Sequence, residues 1–479
     1  MMFRVKNDYN FGGVPLHKLL YATYKASNNF HYRALFKAKD DILKIGKYNK
    51  AELNMILDSI FEAETARKYL FEELKNSKPL KAREIIKRFP FPKENVIRDL
   101  FYMKEKGLIE VLDADKEDPL FKIRADLKKS EENYFISVDL VYDSNLCCQC
   151  GLCSSICPVN AIDLRRDYLY VDESKCITCG LCYEVCPRSF RMDALMENIY
   201  RMDKSLKYTD GLGYYKDIYS ARTRKYSIKK LGQDGGIATS LLYYLLEQKL
   251  VDAVITIKHL ENYWEPEVSI IEKAEELHKT AGSTYVHFPV LSILHKAKKY
   301  DKIALVALPC KIKAISKGKL IPIKLPMFRN IKYKIGLFCM ESFPYEEIFK
   351  LIKDKFSVSI DEIIKMDIKS GVFELTVDSG EKYSLSLNDC KVYCSQFCHF
   401  CGDLTAEFAD ISLGSIGSNE GWSTVITRSD KGEKIFKNAI KNHLIEIKSS
   451  FDESPVQSKI KRVAEKKKEN IPPIEIQAF

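Results

Sequence analysis

Two cysteine runs of identical spacing constrain this chain more than any other feature. The first is Cys147, Cys150, Cys153 and Cys157 before Pro158, and the second is Cys176, Cys179, Cys182 and Cys186 before Pro187. Each reads C-x2-C-x2-C-x3-C-P, a spacing that gathers three thiolates in one tight loop and sends the fourth to a neighbouring site. A pair of cubane iron–sulfur clusters fits that geometry. The expected ligand sets are therefore crossed: Cys147, Cys150 and Cys153 with Cys186, and Cys176, Cys179 and Cys182 with Cys157. Gly151 and Gly180 are expected to relieve crowding where backbone approaches sulfide. Cys148 falls outside the pattern and reads as a spare buried thiol. Zinc sites would favour isolated C-x2-C pairs, and a disulfide framework suits short secreted chains.

A chain of 479 residues has room for about three domains. No charged flank followed by an apolar run marks a secretory signal, and no stretch has the length of a membrane span. Fifteen cysteines in such a chain fit cofactor ligation in a reducing compartment, so a cytoplasmic location is expected. The net charge of +10 admits nucleic acid, an acidic protein or a polyanionic cofactor as partner.

The expected fold class is α+β multidomain. Residues 1–135 hold no cysteine and read as a winged-helix-like helical segment. Within it come a helix over Ala82–Arg88, a turn at Phe89–Pro92 and a helix over Lys93–Lys106 ended by Gly107. Strands at Leu108–Leu112 and Leu120–Arg124 follow. Such a unit can bind DNA through Lys93, Arg98 and Lys104, but a docking or dimerisation element of the same shape is the favoured reading. Residues 136–200 read as a bacterial-type ferredoxin domain with two 4Fe-4S clusters. Residues 201–450 alternate helix and strand, which predicts a parallel or mixed sheet. The expected elements are helices at Ile237–Gln248 and Pro289–Lys299 and strands at Asp252–Ile257, Lys302–Leu308 and Lys332–Phe338. Phe373–Val377 and Lys382–Leu387, across Asp378-Ser379-Gly380, form an appended hairpin. Residues 451–479, with Lys466-Lys467-Lys468 and Pro472-Pro473, read as a basic surface helix and tail.

Six cysteines remain. Cys310 and Cys339 each follow a strand, at the carboxyl ends where open sheets hold ligands. Cys398 and Cys401 add a C-x2-C pair, and four thiolates from three loops suit a third cluster. Cys390 and Cys394 compete for that role as reserves. Gly232-Gln233-Asp234-Gly235-Gly236 precedes a helix, where backbone amides can meet a phosphate or a flavin; a plain tight turn is the alternative. Ala281 to Tyr285 is a second segment of this kind.

The motifs GQDGGI from Gly232, Trp264 with Pro266, Leu308-Pro309-Cys310, Ile335 to Cys339, CHFCGDLTAEFADISLGSIG from Cys398 and Gly421 to Ile426 together carry a resemblance. They resemble the beta subunits of coenzyme F-420-reducing hydrogenases and F-420-dependent formate dehydrogenases, over about half the chain. With the ferredoxin unit in front, the layout is similar to the input subunit of membrane-associated F-420 dehydrogenases and to the electron-input half of F-420-dependent sulfite reductase. The resemblance implies an oxidoreductase of methanogenesis with coenzyme F-420 as substrate, FAD, a third 4Fe-4S cluster and a redox partner protein through which it could meet a membrane. FAD would contact Gly232, Gln233, Asp234, Gly235, Gly236, Ser283, Thr284 and Tyr285, and Cys310, Cys339, Cys398 and Cys401 would hold the cluster. No catalytic side chain is implied, and Arg222 or Lys311 is a candidate for holding the acidic tail of F-420. Ala307-Leu308 stands where the family more often has Gly-Thr. Two other readings stay open: a flavin and iron–sulfur reductase of another organic substrate, as in the related plant reductase of the chlorophyll cycle, and a redox-sensing DNA-binding regulator.

Overall fold

The computed structural model describes residues 15–471 apart from 28, 76, 113–117, 125–137, 166–167, 191, 260–265, 284, 322, 370, 450 and 470. Trp264 and Thr284 therefore lie outside the described residues, as do Pro472 and Pro473.

Apolar residues three and four apart build α1 (Leu16–Ser27), α2 (Phe30–Lys37), α3 (Lys39–Ile45) and the long α4 (Lys50–Lys75). The two halves of α4 serve two cores. Leu53, Ile56, Leu57 and Ile60 pack with the ferredoxin region, whereas Ala66, Leu70 and Leu74 pack with the segment that follows. That segment runs β1 (Leu80–Lys81), α5 (Ala82–Arg88), α6 (Lys93–Glu105), β2 (Ile109–Val111) and β3 (Leu120–Ile123). Its antiparallel sheet has the order β1-β3-β2, and Gly107 ends α6 in a left-handed conformation at φ +68°. The helix and strand positions match the sequence expectation.

The ferredoxin region comprises α7 (Val138–Asp143), α8 (Leu152–Ile156), the antiparallel pair β4 (Ile162–Arg165) and β5 (Tyr168–Val171), and α9 (Leu181–Val185). Gly151 and Gly180 cap α8 and α9 at φ +84° and +70°. Protein atoms from outside the cluster loops crowd both positions. A Cβ on Gly151 would meet Pro289 O and Ser292 N at 2.7 Å, and one on Gly180 would meet the His31 ring at 2.5 Å. The same two loops offer equivalent carbonyls. Cys150 O accepts from Leu291 N at 2.9 Å, and Cys179 O accepts from His31 Nδ1 at 2.7 Å.

After α10 (Asp193–Met202) and the small pair β6 (Lys207–Thr209) and β7 (Gly213–Tyr215), the chain builds an eight-stranded mixed sheet. The first half supplies β8 (Asp217–Thr223), α11 (Tyr226–Leu231), α12 (Ile237–Glu247), β9 (Ala253–Lys258), β10 (Glu267–Ile271), α13 (Leu294–Ala297), β11 (Ile303–Ala307), α14 (Pro309–Leu320), α15 (Pro326–Arg329) and β12 (Ile331–Leu337). The second half adds α16 (Tyr345–Phe356), β13 (Ile363–Lys369), β14 (Val372–Val377), β15 (Lys382–Ser386), α17 (Leu387–Cys390), β16 (Ile411–Gly414), β17 (Ser423–Thr427), α18 (Asp430–Lys441), β18 (Ile445–Ile447) and α19 (Glu453–Glu469). The order is β10-β9-β11-β12-β16-β17-β8-β18, with β9, β11, β12 and β16 parallel. Apolar side chains of α12 and α18 share one core with the sheet, and those of α14 share another with the ferredoxin region. The expected hairpin is β14 and β15, joined by β13 into a separate antiparallel sheet.

Two expectations are corrected. The helix expected over Pro289–Lys299 is only the single turn α13, because residues 289–292 turn to meet the Cys150 loop instead of continuing a helical ladder. The expected basic tail is a docked helix through residue 469: Val456, Ile460, Ala464 and even Lys467 of α19 are buried. Among the described residues, no helix is long and apolar enough to cross a membrane.

One buried ion cluster ties the N-terminal segment to the ferredoxin region. Glu184 of α9 is 1% exposed and accepts from Lys106 Nζ at 2.6 Å and Tyr102 Oη at 3.1 Å, with His31 Nε2 at 3.6 Å. Burial alone would raise its carboxyl, yet Lys106 and His31 hold it down to about 2. Glu184→Ala strips Lys106 of this partner, so a loss of about 3–5 kcal/mol is expected in anaerobic guanidinium unfolding. A change under about 1 kcal/mol would mean that apolar packing alone holds the two parts together.

Candidate metal centre

The ferredoxin region holds two cysteine-lined cavities. One is lined by Cys147, Cys150, Cys153 and Cys186, the other by Cys157, Cys176, Cys179 and Cys182. The fourth cysteine of each run has thus crossed to the other cavity, as the spacing predicts. Leu164 and Leu169 wall the first cavity, Ile162 and Val171 the second, so one β hairpin seals both. This apolar burial pushes the thiols of Cys147 and Cys182 up to about 11 and about 12. Among the described residues, no three His, Cys, Asp or Glu side chains close around a single metal ion. A soft, multi-iron group bridging thiolates suits this donor set and this room.

A third cysteine group forms on the edge of the large sheet. Parallel neighbours β11 and β12 deliver Cys310, on the first turn of α14, and Cys339, just past the last residue of β12. The turn over Gln396–Phe400 brings Cys398 and Cys401 to them, fixed by the bonds from Cys398 N to Ser395 O and from Cys401 N to Cys398 O. Cys339, Cys398, Cys401 and Cys310 interact electrostatically, and burial, the largest influence on Cys339, pushes its thiol up to about 12. Cys390 is packed in a separate apolar core with Phe373 and Leu375. Cys394 lies nearer, but its thiol is directed to Glu341 Oε2 at 3.3 Å.

Three cations surround this group, and of these only Arg188 went unremarked in the sequence. Lys467 of α19 donates to Cys339 O and Asp403 O. Arg188, which follows the second cysteine run, donates to Phe400 O at 3.0 Å, and its charge faces Cys401, Cys148, Cys310 and Cys398. Lys311, the candidate for the acidic tail of F-420, is 2% exposed. Its Nζ lies 3.1 Å from Cys148 O and 3.1 Å from His287 Nδ1. Burial would drain its charge, but the facing thiols of Cys310, Cys148 and Cys150 hold its ammonium well above the ordinary lysine range. A cubane on four thiolates is anionic, and the buried Lys311 and Lys467 with the half-buried Arg188 match it. Cys148 is buried, as expected, and lines the first cavity with Cys147, Cys150 and Cys153. A lysine after Pro-Cys and an arginine after Cys-Pro were visible in the sequence, but nothing there placed them at this group.

The proposed flavin segments lie on the same edge. Strand pairing makes β8 run in the direction of β12 and β16, so the loop after β8 shares the side that carries Cys310 and Cys339. Three strand spacings separate β8 from β12, about 14 Å. Gly232 to Gly236 cross this edge into α12, with Gly236 left-handed at φ +68°. Gly235 presses so closely on the sheet that a Cβ would meet Ala221 O at 2.5 Å, and its N–H donates to Ser423 Oγ at 3.0 Å. Gln233 Nε2 donates to Asp367 Oδ1 at 2.8 Å, and Tyr285 Oη accepts from Ile368 N at 3.1 Å, so both segments converge on β13. Asp234 and Ser283 are half-buried there; burial raises the Asp234 carboxyl, while Lys369 opposes the rise. Tyr285 O accepts from Ser342 Oγ at 3.0 Å, and Ser342 O accepts from Cys398 Sγ at 4.0 Å. Arg222 stacks over Trp422 at 4.4 Å and pairs with Glu446.

Comparison with known proteins follows these boundaries. The family model described as coenzyme F-420 hydrogenase/dehydrogenase, beta subunit N-term matches residues 218–295, and the corresponding C terminus model matches 300–453. A 4Fe-4S dicluster domain matches 139–187, and a 4Fe-4S single cluster domain of ferredoxin I matches 171–209. The coenzyme F-420 hydrogenase subunit beta of Methanothermobacter thermautotrophicus is 36% identical over 262 residues, 54% of this chain and 93% of that protein. One subunit of the reduced-F-420 dehydrogenase of Methanosarcina mazei is 30% identical over 303 residues, 62% of this chain and 83% of that one. A chain in the solved F-420-reducing [NiFe] hydrogenase complex from Methanosarcina barkeri superposes with a TM-score of 0.53 and 31% identity, covering 55% of this chain and 92% of that chain.

Next to the third group, Glu407 is buried beside Asp403, and burial with that neighbour pushes its carboxyl up to about 7. Because its folded value exceeds the ordinary 4.5, it favours the folded state at low pH and withdraws that support as pH rises from 4.5 through about 7. Glu407→Gln should flatten the fall in unfolding free energy across that window, measured by denaturant titration at successive pH values. An unchanged slope would mean that Glu407 stays ionised in the fold.

Proposed function

The chain belongs to the family of beta subunits of coenzyme F-420 hydrogenases and dehydrogenases, and on that premise we propose that it is an F-420-linked electron-input subunit. It takes reducing equivalents from reduced coenzyme F-420 and delivers single electrons to an iron–sulfur partner protein. Cys147, Cys150, Cys153 and Cys186 hold one 4Fe-4S cluster, Cys157, Cys176, Cys179 and Cys182 a second, and Cys310, Cys339, Cys398 and Cys401 a third. Gly232 to Gly236 and Ser283 to Tyr285 are the FAD contacts. When bound, FAD supplies the exchange between two-electron and one-electron chemistry, and the clusters supply one-electron carriage.

The residues contribute position and electrostatics, and no side chain acts as nucleophile. The observation that carries the reading is the proximity of the flavin segments to the third thiol group: Ser342 Oγ donates to Tyr285 O at 3.0 Å, and Ser342 O lies 4.0 Å from Cys398 Sγ. β13 braces both flavin segments, and the apolar β4–β5 hairpin keeps water from the two cavities. The order of elements in residues 50–124 supports reading the N-terminal part as a winged helix that docks. Tyr102, at the end of α6, and Lys106, just beyond it, are engaged by Glu184, which favours docking over groove binding. We place the protein in the cytoplasm, joined to a membrane only through a partner.

The test is anaerobic expression with iron and flavin, then loss of the absorbance of oxidised F-420 with reduced viologen as electron donor, or its recovery from reduced F-420 with oxidised viologen. Wild type should turn over and carry about twelve irons. Replacing Cys310 and Cys398 by Ser should remove about four irons and most F-420 turnover while the other clusters persist. Full turnover in that variant would sink the role of the third group. Bound FAD without any F-420 reaction would move the assignment to a reductase of another organic substrate.

A further inference from the structure

The first ferredoxin cavity and the third cysteine group belong to different parts of the chain, yet their ligands meet in one buried seam. Three side chains make the seam, and none is a proposed cluster ligand. Cys148, 2% exposed, lines the first cavity beside Cys150 and packs in one buried core with Cys310. Its carbonyl accepts from Lys311 Nζ at 3.1 Å. Lys311 also donates to His287 Nδ1 at 3.1 Å. An ammonium has donors only, so Nδ1 must be the accepting nitrogen and the ring proton must sit on Nε2. Nε2 lies 3.9 Å from Cys398 Sγ, which makes the imidazole a donor toward a thiolate. His287 is 1% exposed and held by its backbone bond from N to Phe343 O at 2.9 Å and by contact with the Phe397 ring at 4.5 Å.

We propose that Lys311, together with His287 and Cys148, is the positioning group that couples the third cysteine group to the first ferredoxin cavity and raises the affinity of the third cluster for an electron. The proposal rests on the function read above. One positive charge faces two anionic groups: the third, at Cys310 and through the imidazole at Cys398, and the first, at Cys150. An electron passing across the seam leaves one cluster oxidised and the other reduced. No bond forms or breaks and no proton moves. Hydrogen bonds and nearby charge at ligand sulfur are the levers by which a protein sets cluster potential, and burial strengthens both. Pro309 starts α14 one residue before Cys310, so the helix N-terminus adds to the same field.

The experiment is an anaerobic redox titration of the full chain, followed by EPR, with iron content measured in parallel. Lys311→Met should shift the third cluster to lower potential, shift the first by less and leave the second unchanged. Lys311→Arg, which keeps the charge, should stay near wild type. His287→Leu should lower the third cluster alone, and it decides the matter if Lys311→Met fails to hold iron. Three clusters with unshifted potentials in the variants that hold iron overturn this proposal and leave the functional reading standing. A wild-type chain with only two clusters overturns the third-site assignment as well.

Discussion

Sulfur-rich anionic sites buried in apolar surroundings need counter-charge held at fixed positions, and much of this molecule is arranged to supply it. Lys311 comes from the sheet edge, Arg188 from the end of the ferredoxin region and Lys467 from the C-terminal helix. Each is a long, costly cation to desolvate, and each is retained because backbone carbonyls and thiols satisfy it. Lys317 of α14 repeats the pattern at the first cavity: its Nζ donates to Cys186 O at 2.6 Å and Phe190 O at 2.8 Å, so one helix braces two cysteine groups. The charge requirement thus binds parts of the chain that hydrophobic packing alone would leave free to slide.

Packing follows the same plan. The core around the cysteines runs without a break from Leu35 and Ile56 of the N-terminal helices, through Leu152 and Val185, to Leu305 and Ile315 of the α/β part. The residues that line the two cavities all lie in the ferredoxin region, and the neighbouring parts pack around its outside. Tyr48 Oη donates to Ile156 O at 2.8 Å and Lys47 Nζ to Ser154 O at 2.9 Å, so the N-terminal helices also satisfy backbone groups at the end of α8.

What was legible in the sequence is what local chemistry specifies. The crossed pairing of Cys157 and Cys186 follows from the spacing before proline, and Cys310 and Cys339 from their place after apolar strands. The elements of residues 82–123 follow from periodicity and Gly107. What was not legible depends on partners distant in sequence. Lys311 looks like a surface lysine until the Cys148 loop folds over it. Lys467 sits in a run of three lysines, and only the helical phase of α19 sends that one inward. The need for glycine at 151 and 180 also comes from far along the chain, because a side chain there would meet Pro289, Ser292 and His31. Pro289–Lys299 had a helical pattern, and tertiary bonding to Cys150 overrode it.

The two cysteine loops are repeats, and the repeat extends to their outer surfaces. The carbonyls of Cys150 and Cys179, the left-handed Gly151 and Gly180, and the positions of Ser155 and Glu184 correspond one to one. Leu291, Pro289 and His295 of the α/β part grip the first set, and His31 and Lys106 grip the second. The small domain is therefore a connector with two like sockets, one filled from each end of the chain. A new module fused at the N-terminus would need only a donor for one carbonyl, a flat face for one glycine and a cation for one carboxylate to seat itself, which makes this junction a natural place for modular exchange.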